Sequence, residues 1–143
     1  MKMNKILPVL GIFALLLSCS TAVKKEDILV SPEELHASVD KVTEIMIHDI
    51  FSPPVASRIF AYPNIAAYEI MALKDDQYLS LEGQVRDLGA IPKPDTVKII
   101  NYDVAAMVAH MELSKRLIFS EERLETLRDS LYGMWEGKNP ELF

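Results

Sequence analysis

Apolar positions recur along this chain in two different ways. From Leu35 to Ile50 they follow the helical period: Leu35, Val39, Val42, Met46 and Ile50 stand four and three apart and form one stripe, with Asp40, Lys41 and Glu44 facing away. Ser31-Pro32-Glu33-Glu34 precedes them, with Ser31 able to cap, Pro32 suited to the first helical position and Glu34 completing a capping box. Pro53-Pro54 removes two backbone donors and restricts the residue before each proline, so this helix has to end by Ser52.

The second pattern runs from Asp49 to Met71. Val55, Ile59, Phe60, Ile65, Ala66, Ile70 and Met71 cannot share one helical stripe, and a helix that is apolar all round belongs inside a larger assembly. The expectation is a central helix, started at Ser52-Pro53, with its neighbours wrapped around it. Pro63 lies inside it and costs the helix about 3 kcal/mol by removing the bond to the Ile59 carbonyl and clashing there. Either the helix continues with a kink or it breaks and Asn64 caps a second piece; Ala61, Ala66 and Ala67, which let another helix come close, favour the kink.

After Lys74-Asp75-Asp76, residues 77–96 carry Gly83, Gly89, Pro92 and Pro94 without a sustained period, which reads as a long loop with one helical turn near Ser80-Leu81-Glu82. A third helix starts at Asn101 or Asp103, with Val104, Val108, Met111 and Ile118 inward and Met107 and Leu117 on its flanks. Ser120 is placed to cap a fourth, whose stripe is Leu124, Leu127, Leu131 and Trp135, with Gly137 as C-terminal cap and Pro140 as stop. No alternating run is long enough for a sheet, so the fold class is all-α: a partial bundle of about four helices.

The N-terminus follows another logic. Lys2 and Lys5 precede an apolar run from Ile6 to Leu17, interrupted by Pro8 and Gly11 and followed by Leu16-Leu17-Ser18-Cys19. The run is shorter than the roughly 20 residues of a membrane span and has the layout of a secretory signal. Residues 1–18 are therefore expected to be a signal peptide and 19–30 a tether, kept wet by Lys24, Lys25, Glu26 and Asp27, ahead of a helical domain over 31–143. Cys19, the sole cysteine, excludes an intramolecular disulfide. Its position resembles the lipid-attachment site of bacterial lipoproteins, which implies export and anchoring to a membrane by several acyl chains.

The formal net charge of −6 and a pI near 5.0, with no basic stripe, argue against a nucleic-acid partner. Candidate chemistry is sparse. His36 falls on an exposed face, His48 and Asp49 are about 100° apart on a helix, and His110 has Glu112 near it without the spacing that gathers metal ligands. All three histidines read as structural or solvated, and no metal site is expected. Arg58, a cation within the apolar stretch, calls for Asp49, Glu69 or an anion as partner. Tyr62 and Tyr68 suit packing with their hydroxyls on a polar neighbour.

His48 to Glu69, H-D-I-F-S-P-P-V-A-S-R-I-F-A-Y-P-N-I-A-A-Y-E, resembles the N-terminal helical part of lipoprotein-type bacterial members of the vanadium-dependent haloperoxidase and type-2 phosphatidic acid phosphatase superfamily. I-P-K-P-D at 91–95, I-N-Y at 100–102 and L-I-F-S-E at 117–121 add to the resemblance. It implies an all-helical bundle whose full-length form binds vanadate, or phosphate, as an oxyanion held by Lys and Arg with a histidine at the reacting centre. The signatures K-x6-R-P, P-S-G-H and S-R-x5-H-x3-D are nevertheless absent: Ser57-Arg58 opens like the third, but Asn64 stands where its histidine belongs. No catalytic residue and no cofactor can be assigned to this segment.

Three readings follow. The chain is an N-terminal portion of a haloperoxidase- or phosphatase-like protein, inactive alone, whose partner is the missing C-terminal helices or another chain. Alternatively it is a stand-alone helical lipoprotein that binds or scaffolds. A small enzyme using His48, Asp49 or Arg58 would need a concave pocket gathering them. The first reading expects a large exposed apolar face; the second expects a closed bundle with a polar exterior.

Overall fold

The computed structural model describes residues 27–95 and 97–143. The signal peptide, Cys19 and most of the tether lie outside them. Four helices follow one another: α1 (Pro32–His48), α2 (Pro53–Lys74), α3 (Tyr102–Lys115) and α4 (Glu122–Lys138), with a 3-10 turn over Pro140–Leu142. No strand occurs among the described residues, so the all-helical expectation holds. No described helix is long and apolar enough to cross a membrane.

The ends of α1 form for the reasons written in the sequence. Ser31 accepts from the Glu34 amide at 3.2 Å while Glu34 takes the Ser31 amide at 2.6 Å, completing the capping box. The buried stripe is shifted from the one expected: Ser38, Val42, Ile45 and Met46 face inward, and Ile50 lies beyond the helix end, exposed. At α3, Asn101 is the cap, accepting from the Val104 amide at 3.0 Å, and its amide group also donates to the Ile28 carbonyl at 2.8 Å. Ile28 is 1% exposed, so the chain joins the fold before the expected end of the tether.

The helix α2 is continuous through Pro63, and Asn64 does not cap a new piece; its side chain donates to the Phe60 carbonyl at 2.7 Å. What differs from expectation is its place. It packs chiefly along α3 and buries only Ile59, Pro63, Ala67 and Glu69. Tyr62 and Leu73 are 45% and 41% exposed, and Val55 and Phe60 are also open. The most enclosed helix is α3, which buries Val104, Ala106, Met107, His110, Met111 and Ser114. Within these residues the apolar rod is thus peripheral, because only one of its sides has a neighbour.

Two apolar clusters hold the helices. One joins Ile28, Val104, Met107, Met111, Leu131 and Trp135; the other joins Val42, Ile45, Met46, Ile59, Ile118 and Leu124. The helix α4 contributes to both. Burying each such side chain contributes roughly 1.5–3 kcal/mol. Gly137 lies within α4 rather than capping it; Asn139 takes that place, its amide donating to the Trp135 carbonyl at 2.9 Å.

Candidate functional site

Where α1 ends, the chain turns sharply: Ile50 has φ 55, and the Phe51 amide donates to the Met46 carbonyl at 3.2 Å. This turn points Asp49 at the start of α4. The Asp49 carboxylate accepts from the Phe119 amide at 2.9 Å, the Ser120 amide at 3.1 Å and the Ser120 hydroxyl at 2.5 Å. Phe51 and Phe119 stack beside it with ring centroids 4.7 Å apart. The Ser120 hydroxyl, followed by the amides and His48, holds the Asp49 carboxyl well below the usual carboxylate range. Ser120 therefore does not cap α4 with its side chain, as the sequence suggested, because Asp49 takes its hydroxyl.

His48 Nδ1 lies 3.1 Å from Asp49 Oδ1 and 3.3 Å from the Ser120 hydroxyl. The two neighbours do meet, against the helical-wheel expectation, because Asp49 caps the helix from outside its last turn. The composition is that of a nucleophilic triad, but the geometry is not. A triad places the carboxylate on one ring nitrogen and the hydroxyl on the other. Here both approach Nδ1, and the serine proton points at a carboxylate too acidic to act as a base. The arrangement clasps the end of α1 to the entry of α4.

The other candidates are also structural. His110 is buried, with Nδ1 3.0 Å from the Ser38 hydroxyl across the α1–α3 contact, and burial lowers its pKa. His36 is exposed. Arg58 meets neither Asp49 nor Glu69: it is exposed, and Nη1 donates to the Pro54 carbonyl at 3.1 Å. Glu69 is instead buried and holds the long loop, its two oxygens accepting from the Ser80 hydroxyl and the Leu81 amide, each at 2.7 Å. Tyr68 donates its hydroxyl to the Leu79 carbonyl at 2.9 Å and meets Tyr78 edge-on. The expected turn follows, with the Leu81 carbonyl accepting from the Gln84 and Val85 amides. The only sequence sign of this anchor was a lone carboxylate in an apolar run.

Holding a tetrahedral oxyanion takes several converging cationic donors. Lys74 faces Asp103 at 2.6 Å, Lys115 faces Glu125 at 2.7 Å, and Arg128 faces Asp129 at 2.9 Å. Their charge is answered by carboxylates, and Arg58 stands apart. The described residues thus pair these three cations with carboxylates rather than gather them around one point. Nor do they contain a group of three or more His, Cys, Asp and Glu able to hold a metal ion.

Several concave features are apolar, whereas one between α1 and α4 is lined by Asp40, Lys41, Glu44, Thr126 and Ser130. A groove of about 380 Å³ lies between Val30–Leu35, α2 and α3. Two larger ones, about 670 and 710 Å³, flank the outer side of the α2–α3 pair and share Ile70 and Ala109 in their linings. His48, Asp49 and Ser120 line none of these.

The described residues form an all-helical fold with one apolar helix left open on a side, and a solved structure shares that fold over most of this chain. The chain matches the crystal structure of the first bacterial vanadium-dependent iodoperoxidase, with 73% identity and a TM-score of 0.80 over 83% of this chain. It is vanadium haloperoxidase-like in sequence and fold over that length. It spans only 29% of that neighbour. No protein-family model matches it, and no curated protein does.

Proposed function

We infer that this chain is the N-terminal helical portion of an exported, lipid-anchored haloperoxidase-like protein, and that it is inactive alone. The match covering 29% of an iodoperoxidase carries this reading. It is supported by the absent oxyanion signatures and by apolar surface on α2 of the kind larger folds enclose. In such a protein the segment is a helical support against which the oxyanion-binding helices are positioned, and Arg58 is available to an anionic group of the enclosing chain. Cys19 carries the acyl anchor, and the acidic surface faces water at the membrane.

The test is direct. Purified chain supplied with vanadate, hydrogen peroxide and iodide gives no oxidised iodine above a protein-free control; measurable turnover would overturn its inactivity. In a bacterial host the chain partitions with membranes, and Cys19→Ala moves it to the soluble fraction. Unchanged partitioning would remove the lipid anchor from the proposal.

A further inference from the structure

The outer side of the α2–α3 pair carries a trough made of two neighbouring apolar grooves. The two grooves share Ile70 and Ala109 in their linings, with Tyr62 and Leu73 in one and Ile99 in the other. On it α3 presents Ala105 and Ala109, one turn apart, and small residues let a helix axis approach closely. The rims are polar, with Asp95 and Lys98 along one end and Arg86 and Asp87 along the other. Ile99 is 80% exposed, and an apolar floor with a polar rim marks a binding face.

We propose that this trough seats an amphipathic helix from the remainder of the larger haloperoxidase-like protein, with Ala105 and Ala109 as the contact point. Two observations select this occupant. Some seven-tenths of the matched iodoperoxidase lies outside the match, which supplies ample polypeptide. Phe143 itself lines the trough, so chain extending from it begins at the trough's edge. The inference rests on the reading of the chain as part of a larger protein and adds the place of contact.

The test replaces the matched segment of the iodoperoxidase with this chain and reads maleimide labelling. In a Cys19→Ala background, Ile99→Cys and the control Ala37→Cys, on the exposed side of α1, are compared in the isolated chain and in the chimera. Labelling of Ile99→Cys falls by about tenfold or more in the chimera while Ala37→Cys is unchanged, as burial of a local site predicts. Ala109→Glu lowers the yield of folded chimera but leaves the helical circular dichroism of the isolated chain intact. A folded chimera whose Ile99→Cys labels as fast as in the isolated chain would overturn the seating while sparing the larger reading. A chimera that does not fold, when the iodoperoxidase does, would overturn the larger reading and the seating with it. Concentration-dependent shielding of Ile99→Cys in the isolated chain, persisting as a dimer, would give the trough to a second copy instead.

Discussion

Replacing Trp135 tests the packing account most severely. The indole is fully buried between α3 and α4, beside Met107, Met111 and Leu131, with Tyr132 at 5.8 Å between ring centroids. Its Nε1 donates to Glu34 at 3.4 Å, which ties α4 to the capping box of α1. Trp135→Ala removes the ring and leaves a cavity, a change that costs about 3–5 kcal/mol. Domains of this size have only about 5–15 kcal/mol in total, so the variant is expected to lose a large share of its stability. Trp135→Phe keeps most of the apolar contact and loses a long hydrogen bond, for about 1–2 kcal/mol. Urea unfolding followed by circular dichroism at 222 nm reads both, since the only tryptophan is the residue removed. In the parent, a fully buried indole is expected to emit blue-shifted and to be shielded from acrylamide. A Trp135→Ala cost below about 1 kcal/mol would refute the core placed here.

Further outcomes follow from other features. Ile50→Gly raises stability by about 1 kcal/mol in the same urea assay, since it relieves a left-handed β-branched residue that is 88% exposed and gives up little packing. Because burial lowers the pKa of His110 below its ordinary 6.5, the unfolded chain binds the extra proton; stability is therefore full above about 6.5 and falls as pH drops below it, by at most about 1.4 kcal/mol per pH unit. His110→Asn flattens the urea midpoint between pH 7.5 and 5.5, and an unchanged slope would contradict this account. Asp49→Ala speeds hydrogen exchange at the Phe119 and Ser120 amides, measured by NMR or mass spectrometry, while exchange in the middle of α3 stays as it was. Glu69→Ala frees Ser80 and Leu81, so limited proteolysis within residues 80–95 accelerates.

Much of this fold could be read in advance where local chemistry decided it. The capping box at Ser31 and Glu34, the Asn101 cap and the Leu124–Leu131–Trp135 stripe each depend on residues a turn or two apart. Continuity through Pro63 was likewise favoured by the small residues around it. What escaped depends on distance along the chain. Asp49 and Ser120 lie 71 residues apart, and nothing in either neighbourhood announces that one would take the other's hydroxyl from its capping role. Glu69 is one of three candidate partners for Arg58 because both lie in one apolar run; the loop supplies better donors, a hydroxyl and an amide, and Arg58 stays outside. The all-round apolarity of α2 was legible, but not which side would remain open. That follows from how much protein is present, which the pattern of one helix does not encode.

One consequence concerns synthesis. Because α4 supplies fully buried residues to both apolar clusters, neither can close while the ribosome is still making α1, α2 and α3. The nascent polypeptide emerges with Val42, Ile45, Met107 and Met111 unmatched until Leu124, Leu131 and Trp135 arrive. Both clusters can therefore close only once α4 has left the exit tunnel.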